Sequence, residues 1–232
     1  MNGLFITGTD TGVGKTVLSL LLLRYFYEKG YQPFYVKPFQ TGCVDPLAPD
    51  SDAQFIYSHT GPLQSRDPSE SVLFCFRNPK APWFAGRDMN TQVRLAPVRQ
   101  FMQEKEQIFH PLIVEGAGGL LVPLTENLLV ADAVKELGLR LILAARASLG
   151  TINHTLLSVE AAKKRAIEIA GIVFLDAGEI PTPADLLAEN REAVERFSGI
   201  PVSGVIKHIR NFTNPGNDYI PVFDRMLNIS KR

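Results

Sequence analysis

The chain has 232 residues, 24 of them basic (Lys plus Arg) and 24 acidic, so it has no formal net charge. That balance removes the basic field by which proteins hold nucleic acid or an anionic membrane surface, and leaves small-molecule chemistry as the expectation. The two cysteines, Cys43 and Cys75, are too few for a disulfide scaffold and lack metal-site spacing, which fits a reducing cytoplasm.

A chain of this length can bury a sizeable core, and residues 1–232 are expected to form a single domain. No charged segment precedes an apolar stretch at the start, and the apolar run 17–23 stops at Arg24, well short of a membrane span. No leader and no membrane insertion are therefore expected.

The first apolar run, residues 4–7, is followed by GTDTGVGKT at residues 8–16. Glycines in such a loop let backbone N–H groups approach phosphate oxygens, and the helix that follows offers its positive end. Lys15 can then reach the terminal phosphates and Thr16 can ligate Mg2+. Gly12, Val13, Gly14, Lys15, Thr16 and Val17 are the expected nucleotide contacts, although five residues separate Gly8 from Gly14 where four are usual. A helix is predicted over residues 14–29, closed by Gly30.

The next strand, 34–37, ends at Lys37 before Pro38, and it suits either anion stabilisation or a surface lysine lying along its own stem. Residues 45–50 are a proline-rich loop, and Asp52 after it is, taken alone, best read as a helix N-cap. A strand over 72–76, a loop over 77–88 and a helix over 91–109 follow. The strand 112–115 ends in Glu115 and then Gly116, Ala117, Gly118 and Gly119. Ligands gather at the carboxyl ends of parallel strands, so Glu115 is expected beside the phosphate loop as a metal ligand.

Further helices are predicted over 128–137, 151–167 and 183–197, and strands over 139–145, 169–175 and 202–206. The strand-length runs are continuously apolar, as in parallel sheets covered on both faces. The alternation gives a doubly wound, mainly parallel α/β sheet flanked by helices, of the P-loop NTPase type. After Asn211 the pattern fades, and a poorly packed tail is expected. The four histidines, His59, His110, His154 and His208, form no nucleophile motif.

These motifs together resemble the dethiobiotin synthase family. The resemblance rests on GTDTGVGKT, on Val36-Lys37-Pro38 with Thr41-Gly42, on Asp50-Ser51-Asp52-Ala53, on Val114 to Gly119, and on Leu149-Gly150-Thr151-Ile152-Asn153-His154. It implies closure of a cyclic urea from 7,8-diaminopelargonate, CO2 and ATP through a carbamic-phosphoric anhydride. It further implies Mg2+ on Thr16, Asp52 and Glu115, and nucleotide contacts at Asp52, Glu115, Gly116, Ala117 and Gly118. Catalytic roles would fall to Lys37 and Lys15, and substrate contacts to Thr41, Gly150, Thr151 and Asn153. The family is a homodimer in which the segment matching 149–154 reaches the other subunit's substrate carboxylate. Here that segment opens a predicted helix whose free N–H groups suit an anion.

The chain departs from the family away from the phosphates. Leu175 and Asp176 stand where an asparagine commonly meets adenine, Pro79-Lys80-Ala81-Pro82 leads to Trp83 in the loop before Gly86, and Ser203 to Lys207 replaces a late Leu-Gly-x-Ile-Pro pattern. Other readings are a paralogue with a changed substrate, an amidase-type synthetase needing a glutaminase domain, and an ATPase switch binding a protein partner. The switch lacks its signature loop lysine, since Asp10 stands there, and the chain has no Asn-Lys-x-Asp guanine reader.

Overall fold

The computed structural model describes residues 3–228. One seven-stranded sheet runs through them: β1 (Gly3–Gly8), β2 (Phe34–Thr41), β3 (Val72–Phe76), β4 (Leu112–Glu115), β5 (Arg140–Arg146), β6 (Ile169–Asp176) and β7 (Val202–Lys207). The spatial order is β3-β2-β4-β1-β5-β6-β7, and every neighbouring pair is parallel. Eight helices cover it: α1 (Lys15–Glu28), α2 (Asp52–His59), α3 (Pro82–Asp88), α4 (Leu95–Glu106), α5 (Val130–Leu137), α6 (Thr151–Lys163), α7 (Ala184–Ser198) and α8 (Ile220–Leu227).

The chain leaves β1 toward β2 and β3, returns to β4, and then crosses β1 to build the other half from β5, β6 and β7. Connections thus diverge around β1 and β4, which opens a crevice at their carboxyl ends. β1 is buried along its whole length between β4 and β5, so the phosphate loop starts from the central strand of the sheet.

α1 is apolar on nearly all sides because it is covered twice. Leu18, Leu20, Leu21, Leu22 and Leu23 pack in one core with Ile6 and Ile113 of the sheet, Ile56 and Tyr57 of α2, and Val222 and Phe223 of α8. The other face of the sheet is closed by α4 and α5 through Val98, Met102, Val130 and Val134, and by α6 and α7 through Val159 and Val194. Each fully buried leucine adds about 1.5–3 kcal/mol of transfer free energy.

Three expectations are corrected. Residues after Asn211 are not a loose tail: Tyr219, Val222 and Phe223 are buried, Tyr25 Oη donates to Asp224 Oδ1 at 2.8 Å, and Lys29 Nζ pairs with that oxygen at 2.6 Å. The amphipathic face is only eight residues long and follows a polar stretch, which hid it; residues 229–232 lie outside the described residues. The expected loop 77–88 contains α3, whose first turn begins at Pro82, a favoured place for proline because its missing N–H needs no partner there. Asp52 is not the N-cap of α2. Ser51 is, its Oγ accepting from Gln54 N at 3.5 Å, and Asp52 is the first helical residue, with its carboxylate free to turn elsewhere.

Candidate active site

The phosphate loop leaves β1 at Gly8 and enters α1 at Lys15. Gly12 and Gly14 hold φ of 70° and 99°, left-handed values that favour glycine, and they turn the loop so that α1 starts directly beneath it. A Cβ on Gly14 would also stand 2.8 Å from Leu175 Cδ1. Lys15 Nζ folds back to Asp10 O at 3.3 Å, and Thr9 N donates to Ala144 O at 2.9 Å, tying the loop to β5.

Below the loop, four charged groups meet. Glu115, at the end of β4, is 1% exposed, and Lys37 and Lys15 are 4% and 8% exposed. Lys37 Nζ lies 2.7 Å from Glu115 Oε1 and 2.8 Å from Asp52 Oδ2. Thr16 Oγ1 is 2.7 Å from Asp52 Oδ1 and 3.1 Å from Glu115 Oε1. Glu115 Oε2 accepts from Ser19 Oγ and from Tyr35 Oη, both at 2.9 Å. A buried carboxylate is tolerated when its lone pairs are filled and a cation neutralises it, and here both conditions hold.

The electrostatics follow from burial and from these pairs. Burial alone would lower the Lys37 ammonium, but Glu115 and Asp52 outweigh it and raise the group above the usual lysine range. Burial would likewise raise the Asp52 carboxyl, and Lys37 holds it below the usual range instead. Lys15, without a carboxylate in contact, is lowered by burial against the opposing pull of Glu115. Burial and the Glu115 charge keep the Tyr35 hydroxyl protonated far above its ordinary value, so it serves as a donor.

A cavity of about 500 Å³ opens over this cluster. Gly12, Gly14, Lys15, Thr16 and Val17 form one wall, Lys37, Thr41 and Asp52 another, and Glu115, Ala117 and Gly118 the floor. Residues from the ends of β1, β2 and β4 and from two helix starts, separated widely in sequence, thus meet at one opening. Val13 and Gly116 stand behind it: Val13 is buried against Gly8, and Gly116 N donates to Ile6 O at 2.9 Å while its missing Cβ makes room for the Phe5 ring.

Gly150, Thr151 and Asn153 are not brought to this cavity within the chain. Gly150, with φ of 92°, caps the start of α6, Thr151 is buried with its hydroxyl 3.2 Å from that of Thr155, and Asn153 is exposed. Leu175 and Lys207 do not line it either. Leu175 packs against Gly14, and Lys207 points to solvent. Sequence reasoning missed Ser19 and Tyr35, whose hydroxyls sit alone in apolar runs, and Phe55 and Phe212, whose rings stand 5.0 Å apart at the cavity's outer wall.

Sheet order, phosphate loop and carboxylate-lysine cluster define an α/β protein of the P-loop nucleoside triphosphatase class. The AAA domain family matches residues 2–216. ATP-dependent dethiobiotin synthetase BioD of Bacillus cereus (strain G9842) is 39% identical over 207 residues, covering 89% of this chain and 83% of the relative. The protein of the same name from Bacillus thuringiensis (strain Al Hakam) is 39% identical over 206 residues, with the same coverage. The chain belongs to this AAA domain family and, within it, to the ATP-dependent dethiobiotin synthetases.

Similar solved structures bear on fold alone. A chain of the MinC:MinD cell division protein complex of Aquifex aeolicus gives a TM-score of 0.63 at 11% identity, over 99% of this chain and 97% of that one. The cell division ATPase MinD of Pyrococcus furiosus gives 0.57 at 15% identity, over 97% of each chain.

Proposed function

We propose that this chain is an ATP-dependent dethiobiotin synthetase, a ligase that closes a cyclic urea from 7,8-diaminopelargonate and CO2. The observation that carries the proposal is the meeting of Thr16, Lys37, Asp52 and Glu115 under the phosphate loop, in a cavity shared with Thr41. No nucleophilic side chain is needed there. Ring closure requires a carbamate held in line with a terminal phosphate and positive charge where the transferring group becomes anionic. Lys15 is sited for the phosphates, Lys37 for the carbamate and the transferring group, and Thr41 for the diamine. Gly12 to Val17 cradle the triphosphate, with Asp52 and Glu115 to Gly118 around it.

The donor set fits magnesium. Thr16, Asp52 and Glu115 offer one hydroxyl and two carboxylates, the hard oxygens that Mg2+ takes. Among the described residues, three or more His, Cys, Asp or Glu side chains nowhere gather as a metal cluster, so phosphate and water oxygens would complete the shell. Bound there, Mg2+ would neutralise charge on the phosphates.

The protein is read as one cytoplasmic domain that works as a homodimer, without nucleic acid. No helix among the described residues is long and apolar enough to cross a membrane. Support for the dimer comes from a second hollow lined by Asp10, Thr11, Leu121, His154 and Leu157, whose leucines are exposed beside the phosphate loop. The α6 start, with Gly150, Thr151 and Asn153, adjoins that face and would serve the partner's substrate.

Phosphate release tests the assignment. It should require diamine and bicarbonate together, whereas hydrolysis indifferent to the diamine would point to a switch ATPase. Lys37→Ala should lower kcat about 100-fold or more while triphosphate affinity stays within about threefold, because the lost charge acts on the transferring group. An unchanged kcat would mean that Lys37 does not act on the transferring group.

A further inference from the structure

Lys37, in the middle of β2, bridges the two carboxylates of the candidate magnesium site. Glu115 Oε1 accepts from Lys37 Nζ at 2.7 Å and lies 3.1 Å from Thr16 Oγ1. The same ammonium reaches Asp52 Oδ2 at 2.8 Å, and Asp52 Oδ1 takes the Thr16 hydroxyl at 2.7 Å. The three oxygen donors are therefore already assembled, and one internal cation bridges both carboxylates. A divalent ion bound to Glu115 Oε1 at about 2.1 Å would lie within about 5 Å of that ammonium, deep under the loop where solvent screens weakly.

We propose that Lys37 is a built-in counter-ion that holds the metal site closed until a triphosphate arrives. In the free protein it neutralises Asp52 and Glu115, keeps their oxygens gathered around Thr16, and opposes a divalent cation. A triphosphate in the loop gives the ammonium another anion, since Lys37 lines the same cavity as Gly12 to Thr16. The lysine then releases at least one carboxylate to the metal and arrives at the phosphate it serves in the reaction. Metal and nucleotide binding become coupled, and metal alone binds weakly. This inference rests on the magnesium reading of Thr16, Asp52 and Glu115.

A titration of the nucleotide-free protein with Mn2+, followed by electron paramagnetic resonance, tests it without any turnover. Lys37→Met should bind Mn2+ at least about tenfold more tightly than the unaltered chain, and Lys37→Arg, which keeps a cation there, should stay within about threefold of it. Equal affinity in Lys37→Met and the unaltered chain would overturn the proposal. Failure of all three to bind, even with triphosphate, would remove the metal site itself, and dethiobiotin formation by the unaltered chain would then judge the enzyme assignment separately. If Lys37→Met does not fold, a crystal structure of the unaltered protein with Mg2+ and a non-hydrolysable triphosphate decides. Lys37 Nζ should have left Asp52 Oδ2 or Glu115 Oε1 for a phosphate oxygen, and retention of both contacts beside bound metal contradicts the idea.

Discussion

Lys37 changes meaning with its surroundings. A lysine read as ending a strand is by default a solvated surface group, yet Lys37 lies inside β2, which continues to Thr41, and is buried because two carboxylates neutralise it. Asp52 is the other half of that balance. Its carboxyl is held below the ordinary range, so it contributes stability that is present above the ordinary Asp value of about 3.9 and lost as pH falls through the depressed one. Urea unfolding between about pH 6 and about pH 2 should therefore show a steeper acid loss in the unaltered chain than in Asp52→Asn; parallel profiles would mean the pair adds nothing to stability. Leu175 leads to a prediction about the base. Its side chain is taken up against Gly14, and Asp176 beside it accepts from Thr182 Oγ1 at 2.8 Å, so neither presents an amide to a purine. Competition among ATP, GTP and CTP should give discrimination of less than about tenfold, against the much larger ratios of sites built around a polar contact. A strong ATP preference would show that other groups read the base.

Helix α8 holds the outer face of α1, the helix that presents Lys15 and Thr16. Phe223 is fully buried, lies edge-on to Tyr25 at 5.4 Å, and is flanked by the Tyr25 and Lys29 contacts to Asp224. Phe223→Ala should cost about 3–5 kcal/mol in denaturant unfolding, and a cost below about 1 kcal/mol would mean that α8 is peripheral. Elements of this kind were the least legible in the sequence. Strands showed themselves because burial on both faces leaves a continuous apolar run, and six of the seven fall within two residues of the expected bounds; β2 instead runs on through Pro38 to Thr41, four residues beyond its expected end at Lys37. Short helices such as α3 and α8 lack enough turns to display a period among prolines and polar residues.

At the scale of the molecule, the parallel sheet brings the ends of β1, β2 and β4 to one crevice, which is why motifs far apart in sequence act as one site. The loop and Glu115 were legible from chemistry and position together. Asp52 and Thr41 were legible through family resemblance, since a helix-start aspartate and a strand-end threonine have many ordinary uses. Ser19 and Tyr35 were not legible, because nothing in an apolar run says which hydroxyl will face a carboxylate buried on another element some 80 to 96 residues along the chain. The most direct measurement of the central claim is mass spectrometry of the products formed from 7,8-diaminopelargonate, 13C-labelled bicarbonate and ATP with Mg2+. Dethiobiotin with the label in its ureido carbonyl should form one for one with phosphate; phosphate released without labelled dethiobiotin would contradict the assignment.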